Sequence, residues 1–243
     1  MRYTDEQVAY LKGDRFSSGE AITYHFDATD RSYRSRIDWL KQICRGKQIV
    51  HVGCVDHETE MIERKLLKGK WVHKQLCDVA DRCLGVDIHE QGIAYLRDKL
   101  GYTDVLTADI TRAPAPELQQ SQWDYLVLGE VLEHIDNPVA FLAAIREHYA
   151  HCIDQIIITV PNAFALDNSR AAARGCELIN TDHRYWFTPY TLGKVAVEAG
   201  LMPREVRMCR NGIVKRRSIM KNRLMRRRPL NRGGILLIAD LGA

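Results

Sequence analysis

Gln48-Ile49-Val50-His51-Val52-Gly53 is a short apolar run that ends in a glycine, and it predicts a buried strand followed by a turn. Six further strands are predicted along the chain, at 82–88, 104–110, 123–128, 155–160, 203–209 and 234–240. The predicted helices fall between them, at 31–45, 58–68, 89–100, 138–150 and 190–199. This alternation indicates an α/β domain with a mostly parallel sheet, helices on both faces, and ligands at the carboxyl ends of the strands.

The composition is that of an ordinary globular chain, because 46% of the 243 residues are hydrophobic and 27% are charged. Collagen, coiled-coil and wholly disordered chains are excluded on this ground. We expect a main domain over 47–243, preceded by an N-terminal helical cap over 1–46 and carrying a basic insertion at 211–232. No apolar run approaches the roughly 18 residues of a membrane span, and the start of the chain lacks the apolar core of a signal peptide. We therefore expect a cytoplasmic protein.

The seven cysteines lie at positions 44, 54, 77, 83, 152, 176 and 209. Their number is odd, their spacing is irregular, and none forms a C-x-x-C pair. This pattern argues against a disulfide framework and against a cysteine zinc site. We expect buried free thiols instead.

Positive charge is concentrated late in the chain. Eleven Lys and Arg residues and no acidic residue fall between Val206 and Ala239, whereas the rest of the chain has a net charge of −7. Such a block is typical of a partner surface. It would attract an anionic small-molecule or glycan substrate, or make contact with nucleic acid or a membrane surface through 210–232. The apolar side chains of Ile213, Met220 and Leu224 would share one side of a helix, which suits the inner face of a membrane.

The ends of the first four strands carry the candidate cofactor-binding residues. Asp87 follows Gly53 by 34 residues, at a position where an acid can accept hydrogen bonds from the two ribose hydroxyls of an adenosine-type cofactor. Asp109, at the end of the third strand, could bind an adenine amino group. Helix capping is the alternative for Asp87, and a turn for Asp109. The complete predicted cofactor set is Gly53, Cys54, Asp87, Ile88, Asp109, Ile110 and Gly129.

The richest polar stretch, Gly129-Glu130-Val131-Leu132-Glu133-His134, follows the fourth strand directly. If it opens a helix, Glu130, Glu133 and His134 lie on one face at i, i+3 and i+4. Two carboxylates and an imidazole at a strand end could bind a divalent cation, or His134 could act as a general base. A solvated helix face with a satisfied histidine is the structural alternative.

This order of strand ends, over roughly residues 47–209, resembles the class I S-adenosylmethionine-dependent methyltransferases. The resemblance implies a seven-stranded Rossmann-like sandwich with helices on both faces and S-adenosyl-L-methionine as cofactor. The family's first loop usually reads D-x-G-x-G-x-G. Here His51 replaces the acid, Gly53 is retained, and Val55 and His57 stand where further glycines are expected.

The pattern E-x-x-E-H, then Thr159-Val160-Pro161-Asn162, then Asp182-His183, resembles two branches of that family, the ubiquinone-biosynthesis O-methyltransferases and the small-RNA 3′-end 2′-O-methyltransferases. A softer resemblance is to bacterial methyltransferases of surface-polysaccharide synthesis. The RNA branch implies that Mg²⁺ or Mn²⁺ is held by Glu130, Glu133, His134 and His183.

The catalytic residues expected on this basis are His134, Glu133 and His183. The predicted function is O-methylation of a hydroxyl on an anionic sugar or glycan intermediate. Two alternatives stay open. One is RNA 2′-O-methylation. The other is a catalytically inactive methyltransferase-like binding protein, which the altered glycine loop would explain.

Overall fold

A computed structural model describes residues 1–14, 21–26, 32–56, 59–212 and 218–242. Within them the chain forms seven strands: β1 (Gln48–Val52), β2 (Arg82–Asp87), β3 (Val105–Thr107), β4 (Trp123–Gly129), β5 (Ile153–Pro161), β6 (Met202–Cys209) and β7 (Gly234–Asp240). They make one sheet in the order β3-β2-β1-β4-β5-β7-β6. All neighbours pair in parallel except β7, which runs antiparallel to β5 and β6. The predicted seven-stranded α/β architecture is confirmed.

Helices cover both faces of this sheet. In chain order they are α1 (Asp5–Lys12), α2 (Arg36–Ile43), α3 (Thr59–Leu67), α4 (Val72–Cys77), α5 (Glu90–Asp98), α6 (Pro116–Gln119), α7 (Pro138–Tyr149), α8 (Leu166–Ala172), α9 (Pro189–Glu198) and α10 (Ile219–Arg227). Single turns of 3-10 helix lie at Leu132–His134 and Pro229–Asn231.

The core explains why the central strands read as continuous apolar runs. Alternate residues of β1 enter different clusters, since Val50 packs with α7 and α9 on one face while Ile49 packs with α2 and α4 on the other. A parallel strand that is buried on both faces carries apolar residues throughout. This is the pattern from which the sequence predicted β1, β4 and β5.

Two predicted elements are shorter in the structure because polar side chains end them. Ser35 caps α2 by accepting a hydrogen bond from the Asp38 amide, so this helix begins at Arg36 rather than at 31. The third strand ends at Thr107 instead of 110. Just beyond it, the Asp109 carboxylate accepts hydrogen bonds from the Thr111 amide and hydroxyl and from the Arg112 amide, which builds a turn.

The N-terminal segment lies against the far edge of the sheet. The Met1 ammonium group donates a hydrogen bond to the Val206 carbonyl at 2.8 Å, and the Tyr3 amide donates to the Arg204 carbonyl at 3.1 Å. Next, α1 begins at Thr4 with a capping box and packs on α9. The sequence did not predict α1 or the short helices α4 and α8.

The basic insertion contains α10, in which Met225 is buried and the basic side chains are exposed. Met220 is 87% exposed, and Ile213, with the rest of 213–217, lies outside the described residues. Among the described basic residues of the insertion, Arg232 differs in being buried, and its guanidinium donates hydrogen bonds to the carbonyls of Met225 and Met208. No helix in the described part of the chain is long and apolar enough to cross a membrane.

Candidate functional site

The candidate site is a cleft of about 610 Å³ at the carboxyl ends of β1 and β4. These strands are the central neighbours at which the order of the sheet reverses, and ligands of open α/β sheets bind at such a point. Seven of the predicted residues line the cleft: Gly53, Cys54, Gly129, Glu130, Glu133, His134 and His183.

Gly53 allows the loops after β1 and β4 to approach each other. Its φ angle is +74°, and a Cβ atom at this position would lie 2.8 Å from Cγ2 of Val131. A larger residue would be strained by the backbone and would also collide with Val131. This glycine therefore sets the shape of the cleft where a cofactor would lie beneath the two loops.

Asp87 fixes the first loop at its end. One carboxylate oxygen accepts a hydrogen bond from the Val55 amide at 2.9 Å, and the other accepts from the His89 amide at 3.0 Å. The helix-cap alternative is wrong, because the N-cap of α5 is His89, whose Nδ1 accepts from the Gly92 amide. Carboxylate oxygens can accept several hydrogen bonds, so ribose binding stays a prediction that this geometry permits.

Like Asp87, the other predicted nucleoside contacts are not among the described residues that line the cleft. Ile88 is 75% exposed, whereas Ile110 is buried in the core. The hydrogen bonds from Thr111 hold the pKa of Asp109 below its usual value, and they are the bonds of a turn-forming aspartate. Adenine binding by Asp109 and its neighbours stays a prediction.

The stretch after β4 does not open an α-helix, so the predicted helical face is wrong. Glu130 has a φ angle of +60°, and only the short 3-10 turn at Leu132–His134 follows. This backbone conformation directs the Glu130 carboxylate to Arg36, whose Nη2 lies 3.1 Å away. Within the described chain, Glu130 is therefore absent from the group of side chains that could share one metal ion, and the predicted set of four contracts to Glu133, His134 and His183.

Glu133 is the most unusual side chain of the cleft. It is fully buried, and neither carboxylate oxygen has a hydrogen-bond partner among the described residues. Burial raises the pKa of Glu133 to about 8, and the nearby Glu130 adds to the shift. Burying a carboxyl group without a hydrogen-bond partner costs free energy, so this arrangement indicates a site built to receive a cation or a polar ligand.

Two imidazoles face this carboxyl. One ligand atom each from Glu133, His134 and His183 lies within 4.8 Å of the others, and the two rings are nearly perpendicular with centroids 4.8 Å apart. His134 Nδ1 lies 3.1 Å from the Asp182 carbonyl oxygen. Because a carbonyl only accepts, Nδ1 carries the hydrogen, and in the neutral ring Nε2 carries the lone pair. Burial and the His134 ring lower the pKa of His183, which favours its neutral form.

Backbone contacts hold the segment that carries His183 against the turn that carries Glu133. The Arg184 amide donates to the Glu133 carbonyl at 2.8 Å, and the Arg184 guanidinium donates to the His134 carbonyl at 2.6 Å. The Tyr185 hydroxyl donates to the Asp136 carbonyl at 2.7 Å. Residues about 50 positions apart in sequence thus meet in a fixed geometry.

Arg36 is a site residue that sequence reasoning missed. It lies on α2, ahead of the first strand, and besides Glu130 it contacts Thr159 Oγ1 through Nη1 at 3.3 Å. His51 and His73 also line the cleft, although the sequence marked His51 only as the replacement of an acid. His57 lies outside the described residues. Nothing in the local sequence of α2 or α4 signals these positions.

Comparison with known proteins supports the fold described above. Residues 67–149 match the family described as a methyltransferase domain. The small RNA methyltransferase HEN1 is 17% identical with a TM-score of 0.53, over 93% of this chain and 27% of that chain. Magnesium protoporphyrin IX methyltransferase from Synechocystis PCC 6803, solved with bound SAH, is 14% identical with a TM-score of 0.50, over 84% of this chain and 79% of that chain. No curated protein matches significantly. The chain has the class I methyltransferase fold, and its matched segment supports S-adenosylmethionine-dependent methyl transfer in general.

Proposed function

We propose that this chain methylates a hydroxyl oxygen of an anionic sugar or glycan intermediate, with S-adenosylmethionine as the methyl donor. The observation that carries the proposal is the buried, unpaired Glu133 carboxyl beside His134 and His183, in the cleft beneath Gly53. Such a group suits the binding of a hydroxyl-bearing acceptor at the position where a methyl group would be delivered.

The donor set fits a divalent cation, because one carboxylate and two neutral imidazoles match the preferences of Mn²⁺ and related ions. When bound, such an ion lowers the pKa of a hydroxyl group and fixes a vicinal diol in place. Glu133, His134 and His183 would hold it, and the hydrogen bond from His134 Nδ1 to Asp182 keeps that ring in the required tautomer. If no ion binds, Nε2 of His134 can accept the hydroxyl proton directly.

The remaining residues of the cleft position the reactants. Methyl transfer needs the acceptor oxygen in line with the methyl group and the leaving sulfur. Gly53 lets the loops after β1 and β4 approach each other where a donor would lie. Asp87 fixes the loop that would face the ribose of the donor. Arg36 neutralises Glu130, which leaves Glu133 as the acidic group closest to the two imidazoles.

An anionic acceptor is favoured by the wall of the cleft. Lys70 lines it, as do Asn211 and Gly212 near the described start of the basic segment. Positive charge at the mouth of a cleft raises the local concentration of anions and their rate of association.

RNA 2′-O-methylation is the second candidate, and the same three-ligand group favours it. A 3′-terminal ribose presents the vicinal diol that a cation at this site would grip, and the fold neighbour HEN1 is a small RNA methyltransferase. RNA binding through several Lys and Arg residues would weaken steeply with salt, because each neutralised phosphate releases counterions. A small glycan acceptor would show a shallow salt dependence.

The test begins with a calorimetric titration of S-adenosylmethionine, with and without Mn²⁺ or Mg²⁺. Methyl transfer is then assayed with sugar nucleotides, glycan intermediates and short RNAs with intact or periodate-oxidised 3′ ends. We expect Glu133→Gln and His134→Ala to abolish turnover while donor binding is kept, and the exposed His151→Ala to behave as wild type. Unchanged activity in both site variants would refute these roles. Absence of donor binding would favour the inactive binding protein.

A further inference from the structure

A second group of ligand-type side chains lies beside the cleft, and its histidine, His73, also lines the cleft wall. His73 and Cys77 are four residues apart on α4 and therefore share one face of that helix, and Cys83 lies on the adjacent strand β2. One nitrogen of His73 and the two sulfur atoms all lie within 4.8 Å of one another. His51, on β1, contacts His73 from the other side, but it lies outside this group of three.

Part of this group is spaced like the ligands of one metal ion, although the two sulfur atoms approach different nitrogens of the His73 ring. Nδ1 of His51 lies 3.2 Å from Nδ1 of His73. The Cys83 sulfur lies 3.8 Å from the same His73 nitrogen, and the Cys77 sulfur lies 3.7 Å from Nε2 of His73. With ordinary zinc–nitrogen and zinc–sulfur bond lengths, neighbouring ligands of a tetrahedral site are about 3.3 to 3.8 Å apart.

The strand beside the group is adapted to it. Gly85 occupies the middle of β2, directly opposite His51 in the parallel register. A Cβ atom on Gly85 would lie 2.7 Å from Cε1 of His73 and 3.0 Å from the Cys54 sulfur. Glycine weakens a strand interior, so its presence in a buried central strand indicates that the space is used. Here it admits the His73 imidazole.

We propose that His73, Cys77 and Cys83 bind a Zn²⁺ ion, and that His51 joins them as fourth ligand when the ion draws the side chains together. Two thiolates and two imidazoles are a common donor set of closed, four-coordinate structural zinc sites. The thiols give up their protons to solvent when the ion binds, and no oxidant or reductant is needed. The ligands come from three elements, so no C-x-x-C pair marks the group in the sequence. As expected, all seven cysteines are free thiols in the structure, and five of them are buried.

Such an ion would brace the wall of the cleft without taking part in chemistry. It would tie α4 to β1 and β2 immediately below the loop that begins at Gly53. The same region is already fixed by Trp71, at the start of α4, whose indole N–H donates to the Cys54 carbonyl at 3.1 Å. Loss of the ion would therefore loosen the donor-binding loop. This inference is independent of the proposed acceptor.

The experiment measures metal in the untagged chain after expression with zinc and gel filtration in metal-free buffer. We expect about one Zn²⁺ per chain, and at least a tenfold lower content in Cys77→Ser and in Cys83→Ser. Replacement by Co²⁺ should give a thiolate-to-cobalt charge-transfer band. That band reports only this site, because the group around Glu133 contains no sulfur. The matched controls are Cys152→Ser, buried elsewhere, and the exposed Cys176→Ser, and both should keep the metal and the band.

A second measurement covers the case in which the serine variants fail to fold. In wild-type protein, added zinc should slow alkylation of Cys77 and Cys83 at least tenfold and leave Cys176 unaffected. Glu133→Gln should keep the zinc, which separates this site from the one in the cleft. The proposal is overturned if the chain neither retains nor binds zinc, if the cobalt band survives both serine substitutions, or if a Cys77–Cys83 disulfide accounts for the lost thiols.

Discussion

Glu133→Gln tests whether the cleft contains a buried carboxyl that is neutral at low pH and that destabilises the folded chain when it is ionised. Burial raises the pKa of Glu133 to about 8 from an ordinary value of 4.5. The folded chain therefore binds this proton more tightly than the unfolded chain does. The free energy of unfolding of metal-free protein should fall as the pH rises between these two values, since over that range the native state still holds a proton that the unfolded state has released.

The magnitude follows from the two pKa values. At about 1.4 kcal/mol per pKa unit, the fall in unfolding free energy between pH 5 and pH 8 is at most about 4 kcal/mol. Water penetration into the cleft would reduce the figure, so we expect about 2 to 4 kcal/mol. Glutamine keeps the shape of the side chain but does not titrate. The variant should lack this component of the pH dependence and should exceed wild type in stability at pH 8.

The assay is urea unfolding followed by tryptophan fluorescence at several pH values, with a chelator present for both proteins. Titrating groups that the two proteins share cancel in the difference between their curves. Parallel curves would refute the reasoning. Adding Mn²⁺ in place of the chelator provides an independent arm, because a metal binds the ionised carboxylate. It should stabilise wild type more at pH 8 than at pH 6, and it should have little effect on Glu133→Gln.

Three further predictions concern the donor and the acceptor. Gly53→Ala should weaken S-adenosylmethionine binding at least tenfold by calorimetry, because the backbone is in the left-handed region and the new methyl group meets Val131. Asp87→Asn should weaken donor binding about tenfold, because the amide is a poorer acceptor for the Val55 N–H group and for ribose hydroxyls. Replacing Arg226 and Arg227 together by Gln should raise the KM for an anionic acceptor several-fold at low salt and leave donor affinity unchanged.

Each of these variants has a matched control. Gly101→Ala has the same φ angle of +74° but no atom within 4 Å of the new methyl group, so it isolates backbone strain from the collision. Asp98→Asn changes an exposed carboxylate on α5 that belongs to no predicted site. A double replacement of the exposed Lys12 and Lys99 by Gln removes the same charge away from α10. If any control matches its test variant, the specific explanation fails.

The strands could be predicted from sequence because their signal is local. Buried parallel strands such as β1 and β5 contain runs of adjacent apolar residues, such as Ile156-Ile157-Ile158, and these runs are visible without knowledge of the fold. The short helices α4 and α8 were missed because they span six and seven residues, too few for a helical period to emerge. The helical period of α10 is hard to recognise in the sequence, because the helix is rich in basic residues and Met225 is its one buried residue.

The site was predictable in composition but not in geometry. The cluster of acids and histidines after β4 marked the correct strand end, and His183 was matched to it through the family resemblance. The positive φ angle of Glu130 could not be foreseen, because non-glycine residues rarely adopt it and the ion pair with Arg36 that accompanies it comes from a distant helix. Sequence spacing alone does not show whether Glu130 belongs to the metal-ligand set, because this depends on the φ angle of that residue.

The departure from the glycine-rich loop and the scattered cysteines can be understood as one feature. At the position of the family's acid, His51 is buried with Nδ1 3.2 Å from His73, and its Nε2 lies 3.5 Å from where a Cβ on Gly129 would be. The imidazole of His51 therefore lies between Gly129 in the cleft and His73 in the group that contains Cys77 and Cys83. The exchange of an acid for histidine at the end of β1, the glycine opposite it in β2, and the His73–Cys77 spacing on α4 are then three parts of a single arrangement. Its coherence is the reason to examine this chain for bound zinc before any acceptor is sought.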